Sequence, residues 1–362
     1  MSTSQNKKIF FQKLAFNLAE INIGSTSSNP SVGCVVEKNG SVISSGFTSL
    51  NGRPHAEFNA LNKKIDFRNS SLHVSLEPCS HYGLTPPCTN IIINKKVKKV
   101  YFSVKDFDPR SKNKSLNILK KRKINTNTKL LNSFGLNFYK SFSKQFNNQL
   151  PLVDCKIALS KDLYSISKSK NWITNQYSRR LGNFLRSKYN CLLTTYKTIN
   201  EDNPLLDCRI ENLEKKSPSI VILDRHFKIK KNLRLLKNKN SKIYLLTLKK
   251  NSNKANFFSK NGVKVIYLKK TSNNNNLKEI FFLLKKLKFY RIFVESGLTF
   301  INALLNQKLI NKFFIFKSSE YLRNNGKNTS EINYVKRLIS NKNKVLINLK
   351  GDNCIKLRLN NV

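Results

Sequence analysis

Two rhythms of apolar residues run through this chain, and together they restrict it to folds of the α/β class. Runs of five to eight residues rich in Val, Ile, Leu and Phe read as strands. They alternate with longer stretches whose apolar residues recur at helical spacing. The first such helix spans about 7–21, with Ile9, Phe10, Leu14, Leu18 and Ile21 along one side. Strands over Ser31–Glu37 and Ser41–Thr48 flank Lys38-Asn39-Gly40, which reads as a tight hairpin turn. A helix over about 54–64, a strand Leu72–Leu76, a helix starting near Pro87 and a strand Val97–Val104 follow. That order implies a mixed sheet with helices packed on it.

The polar stretch Gln145–Pro151 ends in a proline and divides the chain into expected domains 1–148 and 149–362. Each is long enough for its own core. In the second, strands over Leu152–Leu159, Cys191–Thr195, Ser219–Asp224, Lys242–Leu248, Val263–Leu268 and Arg291–Glu295 alternate with helices at about 175–188, 276–289 and 298–308. This predicts a second α/β domain. The low-complexity segment Thr271–Asn276 reads as a surface loop.

Charge is the outlier, with 67 Lys and Arg against 20 Asp and Glu, a net +47. Nucleic acid is the first partner such a number suggests. Yet the lysine runs, such as Lys63-Lys64, Lys98-Lys99, Lys120–Lys123, Lys228–Lys231 and Lys285–Lys288, are scattered through both halves rather than gathered in one arm. They read as a compositional bias, with a smaller part available to attract phosphates. No apolar stretch approaches the ~18–20 residues of a membrane span. The N-terminus lacks the apolar core and cleavage site of a secretory signal. Seven scattered cysteines argue against a disulfide framework and for a reducing, cytoplasmic setting.

Chemistry concentrates in three short pieces: Pro54-His55-Ala56-Glu57, Glu77-Pro78-Cys79 and Thr85-Pro86-Pro87-Cys88. His55, Cys79 and Cys88 supply one imidazole and two thiolates at helix starts after strands. Three such ligands with an open fourth position is how catalytic zinc is held, and zinc makes hydroxide available near neutral pH. Glu57 would share the first helical turn with His55 and move protons between water and a leaving amine. The alternative is a structural zinc, which needs a fourth ligand; His73 and His81 are the nearby candidates. Cys34, Cys155, Cys191 and Cys354 read as ordinary buried thiols.

Asn29-Pro30-Ser31-Val32-Gly33, His55-Ala56-Glu57 and Pro78-Cys79-Ser80-His81-Tyr82-Gly83-Leu84-Thr85-Pro86-Pro87-Cys88 closely resemble the deaminase half of the bifunctional riboflavin-biosynthesis deaminase/reductases. Nucleic-acid deaminases have two residues between the paired cysteines; here there are eight. The resemblance implies a cytidine-deaminase-like domain in which His55, Cys79 and Cys88 bind Zn2+, Glu57 shuttles protons and Asn29 lines the pyrimidine pocket.

The second half resembles, less closely, the family's dihydrofolate-reductase-like domain. The resemblance rests on Lys156-Ile157-Ala158, Trp172-Ile173-Thr174, Leu185-Arg186-Ser187, Thr198 through Pro204 with Leu206 and Arg209, and Val294-Glu295-Ser296-Gly297-Leu298-Thr299. It implies NADPH bound by Ala158, Trp172, Thr198, Asp202, Gly297, Leu298 and Thr299. It implies substrate bound by Lys170, Arg186, Leu206, Arg209 and Glu295, with Arg186 and Arg209 holding the phosphate. Physically, a glycine at a helix start lets backbone N–H groups approach a phosphate, and each arginine can hold one by paired hydrogen bonds.

The family pattern is broken at Ser160-Lys161-Asp162-Leu163-Tyr164, at Lys170-Asn171, at Tyr196-Lys197, and in a later strand assigned to Lys317–Leu322. The expected function is zinc-dependent deamination of a diamino-ribosylamino-pyrimidinone 5′-phosphate, followed by NADPH-dependent reduction of its ribosyl group to ribityl. The alternatives are a deaminase whose reductase is weakened or inactive, a nucleic-acid deaminase, and a zinc-bound binding protein. The expected partners are this small phosphorylated substrate and further copies of the chain, with no membrane or nucleic acid.

Overall fold

The computed structural model describes residues 3–269, 276–340 and 344–359. The expected loop at Thr271–Asn276 falls, apart from Asn276, outside the described residues. The chain divides into two compact units, Met1–Gln149 and Leu150–Val362.

The first unit runs α1 (Thr3–Glu20), β1 (Gly33–Lys38), β2 (Ser41–Phe47), α2 (Ala56–Leu61), β3 (Ser71–Leu76), α3 (Cys88–Asn94), β4 (Lys99–Val104), α4 (Lys114–Lys121), β5 (Asn125–Asn127), α5 (Asn132–Phe138) and α6 (Lys140–Ser143). Its five strands are ordered β2-β1-β3-β4-β5. β1 is antiparallel to β2 and β3, whereas β3, β4 and β5 run parallel. The β1–β2 turn has Asn39 at φ 55° and Gly40 at φ 82°, the left-handed pair that a two-residue hairpin demands.

Successive β1 side chains face opposite ways. Val35 packs with Phe11 and Ala15 of α1, whereas Cys34 and Val36 join Ala56 and Ala60 of α2. Two glycines permit this closeness. A Cβ on Gly33 would strike the α1 backbone, with Ala19 N at 2.7 Å. One on Gly46 would lie 2.5 Å from the backbone of Ala56 and of Ala60. The second approach presses the start of α2, which carries Glu57, against β2. The expected helix over 54–64 is shorter, ending at Leu61, and α4, β5, α5 and α6 extend the expected order.

The second unit comprises β6 (Leu152–Leu159), β7 (Ile166–Ser167), α7 (Gln176–Arg186), β8 (Cys191–Thr195), α8 (Tyr196–Asp202), β9 (Ser219–Leu223), β10 (Ile243–Thr247), α9 (Ser252–Lys260), β11 (Val263–Tyr267), α10 (Leu277–Lys286), β12 (Arg291–Glu295), α11 (Leu298–Asn306), β13 (Lys312–Lys317), β14 (Gly326–Lys327), α12 (Asn333–Ser340) and β15 (Asn353–Arg358). The main sheet is ordered β11-β10-β9-β8-β12-β6-β13-β15. All neighbours pair in parallel except β15, which runs antiparallel on β13. β7 and β14 form a separate two-stranded ribbon.

The late strand assigned to Lys317–Leu322 is corrected to Lys312–Lys317. Phe313, Phe314, Ile315 and Phe316 are all buried, as an interior strand requires, and the strand stops before Ser318. The path of the chain fixes where ligands go. It leaves β6, moves outward through β8 to β11, then returns to insert β12 between β8 and β6. The carboxyl ends of β6, β8 and β12 therefore open onto the crevice where the winding reverses, the place where parallel α/β sheets bind ligands.

Candidate active sites

In the first unit, three segments deliver three ligand atoms to one point. His55 is the residue before α2, Cys79 lies just beyond β3, and Cys88 opens α3. His55 Nδ1 lies 3.6 Å from Cys79 Sγ and 3.4 Å from Cys88 Sγ. Bonds of about 2.0 Å to nitrogen and 2.3 Å to sulfur at tetrahedral angles put N and S about 3.5 Å apart. The spacing therefore fits zinc. Among the described residues the cluster of metal-ligating types contains only His55, Cys79 and Cys88. His81 Nδ1 turns instead to Ser111 Oγ at 2.7 Å, and His73 stacks on Tyr101 with ring centroids 4.6 Å apart. Neither supplies the fourth ligand that a structural site needs, so the fourth position is left for water or substrate.

Glu57 is 3% exposed, in the first turn of α2. Burial, with the adjacent charge of Cys79, pushes its carboxyl up to about 7. A carboxyl poised near neutrality both accepts and returns a proton readily. Cys79 moves the other way, to about 4, stabilised first by a hydrogen bond from Cys88 and then by His55. The Cys88 backbone N–H also donates to Cys79 Sγ at 3.3 Å.

Sequence reasoning assigns no role to Glu77 or Arg53, which help to brace this site. The buried Glu77 carboxylate accepts from Asp106 N at 3.0 Å, Asn113 N at 3.2 Å and Ser115 Oγ at 2.7 Å. It thereby fastens the 105–115 segment beside Cys79. Arg53 donates to Thr85 Oγ1 at 2.6 Å and sits 3.5 Å from His55 Nε2. Asn29 donates to Gly52 O at 2.8 Å, holding the turn that leads to Arg53 and His55. A separate cavity of about 450 Å³ is lined by Lys8, Lys99, Lys120, Lys123 and Tyr101 among others, and by none of the zinc-site residues.

In the second unit, the carboxyl ends of β6, β8 and β12 gather polar groups. Arg186, at the end of α7, grips Glu295 of β12 with Nε–Oε1 at 2.6 Å and Nη2–Oε2 at 2.9 Å. Its Nη1 donates to Asn183 Oδ1 at 3.0 Å and Asp207 O at 2.9 Å. Four of the five N–H donors of a guanidinium are thus committed, and the expected paired grip on a phosphate is replaced by a grip on Glu295. Burial would raise the Glu295 carboxyl, but Arg186 holds it below its usual range. Lys156, to which no role was assigned, brings Nζ to 3.9 Å from Glu295 Oε2.

The hydroxyls of Thr195 and Thr198 lie 3.0 and 3.4 Å from that of Ser296. Gly297 precedes α11, whose start has no side-chain cap, and a Cβ there would meet nothing nearer than Thr329 Oγ1 at 3.9 Å. This open helix start with three hydroxyls beside it fits the phosphates of NADPH. Leu298 is fully buried, so only its backbone can face a ligand. Leu206 likewise buries its side chain with Leu192 and Ile199. Thr299 Oγ1 donates to Thr329 O at 3.2 Å. Ala158 is half-buried at the end of β6, and Asp202 is exposed at the end of α8. Arg209 is exposed, with Nε 3.4 Å from Asp207 Oδ1. Trp172 is 59% exposed, with the Arg179 guanidinium 4.9 Å from its ring centroid, so it is not a core residue. Lys170 pairs with Glu320 at 2.6 Å.

Comparison with known proteins bears on both units. Residues 5–104 match the cytidine and deoxycytidylate deaminase zinc-binding region, and residues 151–321 match the RibD C-terminal domain. The riboflavin biosynthesis protein RibD of Aquifex aeolicus is 30% identical over 309 residues, covering 84% of this chain and 85% of its own. That of Haemophilus influenzae is 31% identical over 336 residues, covering 89% and 88%. Among solved structures, Acinetobacter baumannii RibD, form 2, aligns with a TM-score of 0.82 at 25% identity, covering 99% of this chain and all of its own.

Proposed function

This chain belongs to the RibD family of bifunctional riboflavin-biosynthesis deaminase/reductases, and from that premise we propose which residues carry each of its two reactions. Residues 1–148 deaminate a diamino-ribosylamino-pyrimidinone 5′-phosphate by hydrolysis. Residues 149–362 then reduce the ribosyl group of the product to ribityl with NADPH. The observation that carries this reading is the meeting of one imidazole nitrogen and two sulfurs within 4.8 Å, beside a buried carboxyl.

His55, Cys79 and Cys88 hold Zn2+, which supplies Lewis acidity and an activated water near neutral pH. Hydrolysis makes a C–O bond at the ring carbon and breaks its C–N bond. Glu57 accepts the proton from water at its carboxylate and delivers it to the departing amine. Asn29 lines the pocket that orients the pyrimidine. In the second unit NADPH supplies the hydride. The exposed face of Trp172 meets the nicotinamide, and Ala158, Thr198, Asp202, Gly297, Leu298 and Thr299 hold the rest of the cofactor. Leu206 contributes its backbone to the substrate. Arg209 and Lys170 are exposed cations for its phosphate, and Arg186 offers its remaining N–H. Glu295 accepts from a sugar hydroxyl, with Lys156 beside it. All seven cysteines are free, which supports a reducing cytoplasmic setting. We also assign a homo-oligomeric state, for sedimentation to test.

The decisive experiment supplies purified, zinc-loaded protein with the diaminopyrimidine and follows ammonia, then supplies deaminated intermediate and follows NADPH. Both signals are expected. Absence of ammonia release from zinc-replete protein overturns the deaminase assignment, and absence of NADPH oxidation overturns the reductase assignment.

A further inference from the structure

The loop that presents Trp172 is held by the last segment of the chain. Asp352, just before β15, is 6% exposed and lies beyond the residues 151–321 that match the reductase family. Its Oδ2 accepts from Asn175 N at 2.9 Å and from Ser178 Oγ at 2.7 Å, and its Oδ1 accepts from Ser319 N at 3.2 Å. Asn175 reciprocates, its Nδ2 donating to Leu349 O at 2.6 Å and Lys350 O at 3.2 Å. Asn175 also caps α7, its Oδ1 accepting from Tyr177 N and Ser178 N, both at 3.0 Å. The carboxylate thus sits at the start of an eleven-residue helix, where the helix dipole favours negative charge.

Both flanks of Trp172 run back to this carboxylate. On one side Asn175 and Ser178 bond to it directly. On the other, Lys170 pairs with Glu320 at 2.6 Å, and Glu320 follows Ser319, whose N–H is held by Asp352. Arg179, in the first turn of α7, lies over the Trp172 ring at 4.9 Å and donates to Thr174 O at 2.7 Å. The indole is therefore exposed, yet every segment that frames it is fastened.

We infer that Asp352 is a positioning residue for the reductase: from the chain's final segment it joins Asn175, Ser178 and Ser319, and so fixes the Trp172 face against which NADPH docks. The inference rests on the reading that Trp172 meets the nicotinamide. Asp352→Asn keeps the size of the side chain but turns one acceptor into an NH2 group that faces a donor. Buried hydrogen bonds to a charged group are strong enough for that loss to move binding by about tenfold.

Trp172 is the single tryptophan, so selectively excited emission reports this loop alone. The full-length, zinc-loaded wild type, Asp352→Asn and Ser178→Ala are titrated with NADPH while emission is followed, and kcat and KM are measured for both reactions. NADPH is expected to quench the wild-type emission. Asp352→Asn is expected to shift the emission of the free protein and to raise the KM for NADPH about tenfold, with reductive kcat within about threefold and ammonia release unchanged. Ser178→Ala, which removes one donor and keeps Asp352, is expected to raise the same KM a few-fold.

Wild-type KM and emission in Asp352→Asn overturn the inference. So does a fall in kcat at wild-type KM, the signature of fewer folded molecules. If Asp352→Asn does not fold, an unmoved Ser178→Ala overturns it. A wild-type emission that NADPH leaves untouched instead overturns the Trp172 reading, and the inference with it. A responsive wild type beside an unmoved Asp352→Asn removes the positioning role alone.

Discussion

The two reaction centres are built on opposite plans. The zinc site is compact: three ligand atoms lie within 4.8 Å of one another, with a carboxyl only 3% exposed beside them. The reductase site is spread over the ends of three strands and two loops, with Trp172 59% exposed and Arg186 already engaged by Glu295. A small cation requires ligands at fixed tetrahedral spacing, so the protein must bring them to one point. A long cofactor is recognised along its length, so backbone N–H groups, hydroxyls and one aromatic face suffice. One site is defined by its side chains, and the other largely by where the sheet ends.

If the centres are independent, mutations should separate them. Glu57→Gln is expected to lower ammonia release by on the order of 10²–10⁴-fold. Bound zinc and NADPH oxidation on deaminated intermediate should stay as in wild type. A parallel fall in NADPH oxidation would break the comparison. Arg186→Ala leaves the Glu295 carboxylate buried without its partner. Loss of such a partner typically costs about 3–5 kcal/mol, so the second unit should unfold at lower temperature and lose NADPH oxidation while ammonia release persists. Calorimetry showing both units destabilised equally would count against separate plans.

A smaller effect tests the bracing of the zinc site. Burial pushes the Asp106 carboxyl up to about 7, so its folded value lies above its unfolded one. Its stabilising contribution is therefore full below about 4 and is lost as pH rises through 7. Asp106→Asn keeps an oxygen to accept from Asp108 N and should be more stable than wild type at pH 8 by on the order of 1–3 kcal/mol, with the difference vanishing near pH 4. Denaturant melts at the two pH values measure this, and a pH-independent difference would contradict it. Least disruptive is Trp172→Phe, which keeps an aromatic face and should raise the KM for NADPH about threefold with little change in kcat. A fall in ammonia release in that variant would again join what the structure separates.

The sequence is most legible where chemistry restricts it most, and the structure brings those residues together. His55, Cys79 and Cys88 stood out because thiolate and imidazole at helix starts have few other uses. β5 escaped because Asn125-Thr126-Asn127 has neither apolar character nor length. α5 escaped because its burial depends on Gly135 fitting against Val104 and Phe16, a contact with no periodic signature. Lys312–Lys317 was strand-like in composition, yet alignment to a family pattern placed the strand five residues late. Arg186 and Leu206 carry a similar lesson. Matching a position does not say which atoms face the ligand, and here one guanidinium is turned to Glu295 and one side chain to the core. The bracing roles of Glu77 and Asp352 do not show in the sequence, because a buried carboxylate that accepts backbone N–H groups looks there like any surface acid.

The insertion of β12 between β8 and β6 has a further consequence, for the order of events during synthesis. The neighbours of β6 are β12 and β13, both made much later. As the chain emerges, Val153, Cys155 and Ile157 wait on a strand with nothing to pair with until Arg291–Glu295 appears. The first unit has every strand of its sheet by Asn127. The nascent protein thus carries a finished deaminase sheet while its reductase strand is still unpaired, and that interval is when the chain is most exposed to aggregation.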